Sequence, residues 1–145
     1  MTLFFSNSNI DTGDEFEKRL GEIRRLADIM DVFLEVDGYE HGSWLDSVKG
    51  LENEPEKGRR CVQCFKYNLK RSAERASTLG IGSFATTLTV SPHKNSKTIF
   101  EAGSAFSGFA PLDFKKNNGF ARSVELARKY NFYRQSYCGC EFSKR

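Results

Sequence analysis

The chain has 145 residues, the length of one domain, and a formal net charge of +3 at pH 7. Its composition, 39% hydrophobic and 13% aromatic, is that of an ordinary globular protein, which excludes fibrous and low-complexity classes. No apolar run is long enough for a transmembrane helix, and MTLFFSNSNI lacks the basic and apolar regions of a signal peptide. We therefore expect one domain, residues 1–145, in the reducing environment of the cytoplasm.

The net charge conceals a strong asymmetry between the two parts of the chain. Residues 1–56 carry 14 acidic and 5 basic side chains, whereas residues 57–145 carry 5 acidic and 17 basic ones. A basic part of this kind indicates a polyanionic partner, with nucleic acid as the leading candidate. The alternative is that each part has an ordinary solvated charged face.

The first part of the sequence predicts strands and helices in alternation. In chain order these are a buried strand at 2–5, a helix at 14–31, a strand at 32–36 and a short helix at 43–51. Asp14 and Glu17, three residues apart, predict a capping box at the start of the first helix.

The second part continues this alternation. It predicts a helix at 61–79 ended by Gly80, a β-branched strand at 83–90, a helix from Asn95, a strand at 109–114 and a helix at 119–130. Alternating strands and helices indicate an α/β fold with an open parallel sheet and helices on both faces, a Rossmann-like three-layer arrangement.

Polar motifs follow the predicted strands. SNSN follows the first strand, SPHKN follows the strand at 83–90, and DFKKNN overlaps the end of the strand at 109–114. In open parallel sheets, binding sites lie beyond the carboxyl ends of the strands. The helix that begins with Cys61 and Cys64 points its start toward the same edge, so we expect one site there.

The four cysteines form two pairs, C-x-x-C at Cys61 and Cys64 and C-x-C at Cys138 and Cys140. At a helix start, exposed N–H groups, the helix dipole and the adjacent Arg59 and Arg60 are expected to favour the thiolate, which is both metal ligand and nucleophile. A disulfide across one residue closes a strained, easily reduced ring, which suits electron transfer. Alternatively, all four thiols form one zinc or iron–sulfur site, and the spacing does not choose between these metals.

Four long segments resemble the epoxyqueuosine reductase QueH family: GLENEPEKGRRCVQCF, ATTLTVSPHKN, DFKKNNGFARS and YRQSYCGC. The resemblance runs from Leu3 to the C-terminus. It implies an oxidoreductase that reduces epoxyqueuosine to queuosine at the wobble position of certain tRNAs, the last step of queuosine biosynthesis. The implied partners are this tRNA and an unidentified electron donor.

The resemblance also implies roles for individual residues. Cys61 and Cys64 would be ligands of a [4Fe–4S] cluster, and Cys138 and Cys140 a redox-active pair. A second metal ion is a further expectation, with zinc as the alternative cofactor. The residues expected to hold tRNA phosphates are Arg59, Arg60, Lys115, Lys116, Arg122 and Arg134.

Two polar residues near the expected site have open assignments. His93 is a candidate proton donor to the opening epoxide, and capping of a helix is the alternative. Asp113 is a candidate ligand of a second metal or a substrate-positioning group, and here too helix capping is the alternative.

The sequence departs from the resembled family at two places. The family begins with a further strand that leads into a C-C-x-P-C cysteine cluster, whereas this chain has no cysteine before Cys61. Residues 96–112 are also short for the helix, loop and strand expected there. We therefore expect an N-terminally truncated member that is inactive by itself.

Two other classes of protein fit parts of the pattern. A non-catalytic zinc-stabilised RNA-binding module would use all four cysteines in one closed site. A thioredoxin-like dithiol enzyme would place C-x-x-C after its first strand with Trp-Cys-Gly-type neighbours, which this sequence lacks.

Overall fold

The computed structural model describes residues 1–144. Its helices and strands, in chain order, are β1 (Thr2–Phe5), α1 (Gly13–Met30), β2 (Phe33–Val36), α2 (His41–Ser47), α3 (Arg59–Thr78), α4 (Ser96–Gly103) and α5 (Gly119–Lys129). Short 3-10 helices occupy Thr87–Val90, Lys116–Asn118 and Glu141–Ser143. In this part of the chain, none of the helices combines the length and apolar character that a membrane span requires.

The first half of the fold is a strand–helix–strand unit, as predicted. β1 and β2 pair in parallel, with Thr2 opposite Phe33 and Phe5 opposite Val36. The apolar face of α1 packs Phe16 and Leu20 against the end of β1 and the loop that follows it. Burial of these side chains supplies the main stabilisation of the unit.

The predicted capping box at the start of α1 does not form. The N-cap residue is Thr12, and its side chain accepts no hydrogen bond. Asp14 lies inside the first turn instead, where a carboxylate interacts favourably with the helix dipole. The prediction was wrong because the N-cap lies two residues earlier than the acidic pair suggested.

α3 and α4 form the second packed unit. Phe65 and Leu69 of α3 contact Ile99 and Ala102 of α4, and all four are buried. α3 begins at Arg59, two residues before the predicted start, so both cysteines of the C-x-x-C pair lie within its first two turns. The side chain of Asn95 caps α4 by accepting the N–H of Thr98 at 3.2 Å.

The predicted strands at 83–90 and 109–114 were wrong. Phe84 donates its N–H to the Gly108 carbonyl at 2.9 Å and accepts from the N–H of Ala110 at 2.8 Å. These bonds form one isolated parallel bridge between Phe84 and Phe109. Within residues 1–144 this bridge does not extend the β1–β2 sheet, so the fold is α/β with a two-stranded parallel sheet, and the three-layer arrangement is not formed there.

The buried side chain of Thr89 explains why no longer ladder forms. Its hydroxyl donates to the Leu112 carbonyl at 3.0 Å and accepts the N–H of Phe114 at 3.1 Å. The chain at Thr87–Val90 is already turned into a 3-10 helix, because the hydroxyl of Thr86 accepts the N–H of Leu88. A side chain therefore satisfies the backbone groups that a neighbouring strand would otherwise satisfy.

Asp37 joins the sheet to α3. Its carboxylate follows β2 and accepts hydrogen bonds from the Ser6 hydroxyl at 2.6 Å, the Gly38 N–H at 3.0 Å and the guanidinium of Arg71. Burial acts to raise the pKa of Asp37, but the hydrogen bonds and charge of Arg71, together with Ser6, outweigh it and lower that pKa. The carboxylate is therefore more stable ionised in the folded chain than in the unfolded one.

We predict that Asp37→Asn lowers the free energy of unfolding by about 2–3 kcal/mol, because hydrogen bonds to a charged, buried group are among the stronger ones. The matched control is Glu35→Gln. Glu35 also pairs with an α3 arginine, Arg75 at 3.0 Å, but both side chains are about one-third exposed. Such a pair is worth about 1 kcal/mol or less. Urea unfolding at pH 7 measures the free energy of unfolding of both variants. Equal decreases in the two variants would contradict the role of Asp37 in joining the sheet to α3.

The pH dependence follows from the sign of the Asp37 shift. Because the folded-state pKa lies below the unfolded one, its contribution is complete above the unfolded pKa and is lost as pH falls through the folded pKa. The parent chain should therefore lose more stability than Asp37→Asn when urea unfolding is repeated below about pH 4. If the free energy of unfolding falls by the same amount in both proteins, carboxylates other than Asp37 determine the loss of stability in acid.

Candidate functional site

The start of α3 presents two sulfur atoms to polar donors. The sulfur of Cys61 accepts the backbone N–H of Lys57 at 3.3 Å, and the sulfur of Cys64 accepts the side-chain amide of Asn68 at 3.7 Å. Asn68 lies one turn further along α3, so the helix itself places this donor. Both sulfurs are thus held as hydrogen-bond acceptors.

Burial sets the protonation of these thiols. Burial raises the pKa of Cys61, although the hydrogen bond from the Lys57 N–H and the charge of Arg60 act to lower it. Burial also raises the pKa of Cys64 to about 12, against the opposing effect of the nearby Trp44 indole N–H. The expectation that the helix start favours the thiolate was therefore wrong for the thiols alone, because desolvation exceeds the dipole and arginine effects.

The two arginines before Cys61 have internal partners. Arg59 pairs with Glu54 at 2.6 Å, although most of its side chain is exposed. Arg60 is buried, and its guanidinium donates to the carbonyls of Leu51, Glu52 and Glu54. Arg60 fixes the loop before α3 and is not available to an RNA phosphate, which corrects its predicted role.

The YCGC segment is anchored to the loop between β1 and α1. The carbonyl of Gly139 accepts the N–H of Asp11 at 2.9 Å, and the hydroxyl of Tyr137 donates to the Asp11 carbonyl. Arg19 of α1 donates to the carbonyls of Cys138 at 2.9 Å and Tyr137 at 3.2 Å. These contacts hold a segment near the chain end in one place.

Glycine is required at position 139. Its φ is +150°, a conformation that L side chains rarely adopt. A Cβ there would lie 3.0 Å from the side-chain amide of Asn9 and 3.3 Å from Ile10. The residue between the two cysteines therefore allows both the turn and the close approach to the loop after β1.

A histidine that the sequence did not single out forms a second anchor. His41 contacts the Ser8 carbonyl through Nδ1 at 2.7 Å and a Glu141 carboxylate oxygen through Nε2 at 3.1 Å. Its ring stacks on Trp44, with ring centroids 5.5 Å apart. No motif surrounds His41 in the sequence, so only the fold reveals this role.

The second cysteine of each pair lies at one packed cluster. Cys140 is buried in a cluster with Trp44 and Val48, against which Cys64 packs. Charge on either tail cysteine acts on Cys61 and Cys64, which places the four thiols within electrostatic reach of one another. All four are free thiols, with Cys138 exposed and Cys140 buried.

The four cysteine sulfurs are the type of ligand that zinc and iron–sulfur clusters prefer in proteins. The buried indole N–H of Trp44, which makes no hydrogen bond, lies beside this set. Across residues 1–144, however, no three His, Cys, Asp or Glu side chains are grouped closely enough to hold one ion. Cys61 and Cys64 could therefore supply two ligands of a metal site. A complete site would need the tail cysteines to move closer to them, or ligands from elsewhere.

The SPHKN loop reaches the tail through a lysine. The ammonium of Lys94 donates to the sulfur of Cys138 at 3.4 Å. His93 is exposed, and its backbone N–H donates to the Ser91 hydroxyl. The helix that follows is capped by Asn95, so His93 does not serve as the cap. The sequence singled out His93 in this loop and missed Lys94.

Asp113 and Lys115 tie the DFKKNN segment to the start of α4. A carboxylate oxygen of Asp113 accepts the Ser96 hydroxyl at 3.0 Å and the Lys115 N–H at 3.1 Å, and these bonds, the Lys115 N–H foremost, lower the pKa of Asp113. The ammonium of Lys115 donates to the Thr89 carbonyl at 2.8 Å and to Ser96 at 2.9 Å. Both side chains thus hold the loop, and Lys115 is less accessible to RNA than predicted.

The remaining basic candidates lie on the surface. Lys116, Arg122 and Arg134 are exposed. Arg122 lies in a shallow groove along α5 that also includes Asn117 and Lys129. These side chains do not contact the thiols, so the structure separates the basic surface from the sulfur site.

Comparison with known proteins shows to which family the chain is similar. Residues 1–145 match the family model described as epoxyqueuosine reductase QueH. The chain is 42% identical over 155 residues to epoxyqueuosine reductase QueH of Streptococcus pyogenes serotype M1, covering 99% of this chain and 60% of the relative. Relatives of the same name from Acinetobacter baylyi and Thermotoga maritima are 35% and 33% identical, with 99% and 97% of this chain and 69% and 77% of the relatives covered.

The matches cover nearly all of this chain but only part of each relative. The chain spans 60% of the length of the Streptococcus relative, so the similarity concerns that part of the relative alone. The chain belongs to the epoxyqueuosine reductase QueH family.

Proposed function

We propose that this chain takes part in the reduction of epoxyqueuosine to queuosine in tRNA, and that Cys138 and Cys140 supply the electrons. Family membership supports the reaction. The observation that supports the proposal for the residues is the anchored tail, in which Cys140 packs in the cluster that Cys64 also contacts while Cys138 is exposed. The backbone conformation and packing of the tail explain Gly139, but a purely structural tail would need no thiol at either position beside it.

The reaction balances with a dithiol. Converting the epoxide to the alkene of queuosine takes up two electrons and two protons and releases one water. Oxidation of two thiols to one disulfide supplies the same two electrons and two protons. Cys138 is exposed and so is the thiol that meets the substrate, while the buried Cys140 closes the disulfide. An external thiol or protein reductant then restores the pair.

The surroundings of Cys138 support its place in this reaction. The Lys94 ammonium lies at its sulfur, where a cation stabilises negative charge that develops on sulfur or on the departing oxygen. Arg19 and the Asp11 N–H hold the adjacent carbonyls, which fixes the orientation of the tail. A preorganised segment avoids reorganisation during the reaction.

Cys61 and Cys64 are the proposed ligands of a metal centre, with a [4Fe–4S] cluster as the first candidate. When bound, such a centre would supply electron-transfer chemistry near the thiols. Metal binding requires the thiolate, so a bound metal must displace the protons that burial makes these two thiols hold more tightly. The Asp113 carboxylate already accepts two hydrogen bonds, which favours a positioning role over ligation of a second ion.

The exposed basic residues are the proposed contacts to tRNA. Lys116 and Arg122 flank the start of α5, and Arg134 lies on the segment that leads to the tail. Phosphate contacts of this kind fix the position of an RNA but carry no sequence information. Arg59 contributes less, since Glu54 already neutralises it.

We predict that the double variant Cys61→Ser, Cys64→Ser loses the iron and acid-labile sulfide that the parent takes up on anaerobic reconstitution. The matched control is Cys138→Ser, Cys140→Ser, which removes the same number of thiols but retains the metal in the proposed scheme. Metal and sulfide analysis per chain measures both. Equal metal content in the parent and the first variant would contradict the proposal. One zinc ion without sulfide, lost in both variants, would instead favour a zinc-stabilised RNA-binding module.

The function itself is tested in a single turnover. Because the sequence predicts that the chain is inactive by itself, it is tested both alone and joined to the N-terminal strand and C-C-x-P-C segment of the resembled family. Each reduced, reconstituted protein is mixed anaerobically with tRNA that contains epoxyqueuosine, without added reductant, and we expect queuosine only from the joined protein. We expect each queuosine formed to be matched by one Cys138–Cys140 disulfide, detected by alkylation and mass spectrometry. Cys140→Ser should form no queuosine under these conditions. Queuosine produced while both thiols stay reduced would exclude them as the electron source.

A further inference from the structure

Of the four cysteines, only Cys138 is exposed. The ammonium of Lys94 donates to its sulfur at 3.4 Å. A cation at this distance stabilises negative charge on the sulfur and favours its action as a nucleophile. The surface therefore presents a thiol beside a cation, where a small polar reagent can react.

The backbone on both sides of this contact is fixed. The Lys94 N–H donates to the Ser91 carbonyl at 3.2 Å, which forms a turn, and the next residue, Asn95, caps α4. The Lys94 side chain is half-buried, which restricts where its ammonium can lie. On the other side, Arg19 donates to the Cys138 carbonyl at 2.9 Å. The fold therefore holds the ammonium and the sulfur against each other.

A second thiol lies two residues further along the chain. Cys140 is buried, so an oxidant in solution reaches Cys138 first. The φ of Gly139, +150°, turns the tail between the two cysteines. An accessible thiol that is activated by its surroundings and followed by a resolving thiol is typical of cysteines that react reversibly with peroxide. Closure of the disulfide stops the oxidation before the irreversible sulfinic acid forms.

We propose that Cys138, Cys140 and Lys94 form a site that reduces small hydroperoxides such as hydrogen peroxide. This reaction uses the same two thiols as the proposed function, but it needs neither tRNA nor a metal centre. The bond that breaks is the O–O bond of the peroxide in place of the C–O bonds of an epoxide. Peroxide and epoxyqueuosine therefore compete for one pair of electrons.

The reaction balances in two steps. The Cys138 sulfur attacks one oxygen of hydrogen peroxide, so that an S–O bond forms and the O–O bond breaks. The departing hydroxide takes up the thiol proton and becomes water, and the Lys94 ammonium stabilises its developing charge. The Cys140 sulfur then attacks the sulfur of this sulfenic acid, which forms the disulfide and releases a second water. An external thiol reduces the disulfide again.

The test mixes hydrogen peroxide with the reduced full chain, without tRNA, metal or added thiol. Timed alkylation and mass spectrometry follow the Cys138–Cys140 disulfide, and we expect one disulfide for each peroxide consumed. Lys94→Met should slow its formation about 10-fold, because the stabilising cation is lost. Lys94→Arg keeps a cation and should retain most of the rate. Lys97→Met is the matched control, since it removes an exposed lysine three residues away and should leave the rate unchanged.

Cys140→Ser separates the two steps. Without the second thiol, the reaction should stop at the sulfenic acid of Cys138, which dimedone traps as an adduct. The inference is wrong if this variant gives no adduct at Cys138, or if Lys94→Met reacts with peroxide as fast as the parent. Sulfinic acid at Cys138 of the parent, formed in place of the disulfide, would contradict the role of Cys140.

A second oxidant distinguishes this inference from the proposed function. Diamide oxidises dithiols to disulfides without a sulfenic acid. A Cys138–Cys140 disulfide formed with diamide but not with peroxide overturns this inference and leaves the pair as an electron source for epoxyqueuosine. The absence of this disulfide with either reagent overturns both proposals.

The parent chain alone decides the matter if Lys94→Met unfolds. The ammonium should attract an anionic reagent, so iodoacetate should alkylate Cys138 faster, relative to neutral iodoacetamide, in the native chain than in urea. Equal rate ratios in the native and the unfolded chain would show that the ammonium does not act on this sulfur.

Discussion

The docking of the YCGC segment against the loop after β1 is the contact on which the whole site depends. The bond from the Asp11 N–H to the Gly139 carbonyl and the two bonds from Arg19 hold this segment to the first strand–helix unit. α3 packs on the same unit through the Arg71–Asp37 pair. The relative position of the two cysteine pairs is therefore a consequence of how both segments attach to one small sheet.

A balance between burial and specific donors gives the site its chemistry. Burial disfavours the free thiolates at Cys61 and Cys64, yet polar donors reach three of the four sulfurs: the Lys57 N–H, the Asn68 amide and the Lys94 ammonium. In such an environment the free thiols stay protonated. The donors can stabilise negative charge on a sulfur when that sulfur binds a metal or takes part in a reaction. It also separates the roles of the tail cysteines, since one is exposed and the other buried.

Local sequence patterns predicted most helices and the first two strands, because apolar periodicity at α1 and α3 is sufficient to define them. The strand predicted at 83–90 was wrong, because the Thr89 side chain forms hydrogen bonds with residues more than twenty positions away, which no local pattern encodes. The cysteines were found because their spacing is itself a chemical signal. His41 and Trp44 were missed because their importance lies in contacts across the fold.

The central claim is that the chain folds so that its two cysteine pairs form one thiol site. The most direct measurement is mass-spectrometric mapping of the products formed by a short bifunctional thiol reagent, such as dibromobimane, with the reduced native chain. The account predicts bridges that join Cys61 or Cys64 to Cys138 or Cys140, lost when the chain is unfolded in urea and diminished by Arg19→Met. Arg25→Met is the matched control, since Arg25 anchors the carbonyls of Tyr130 and Asn131 instead. Bridges confined to Cys61–Cys64 and Cys138–Cys140 in the native chain would contradict the account.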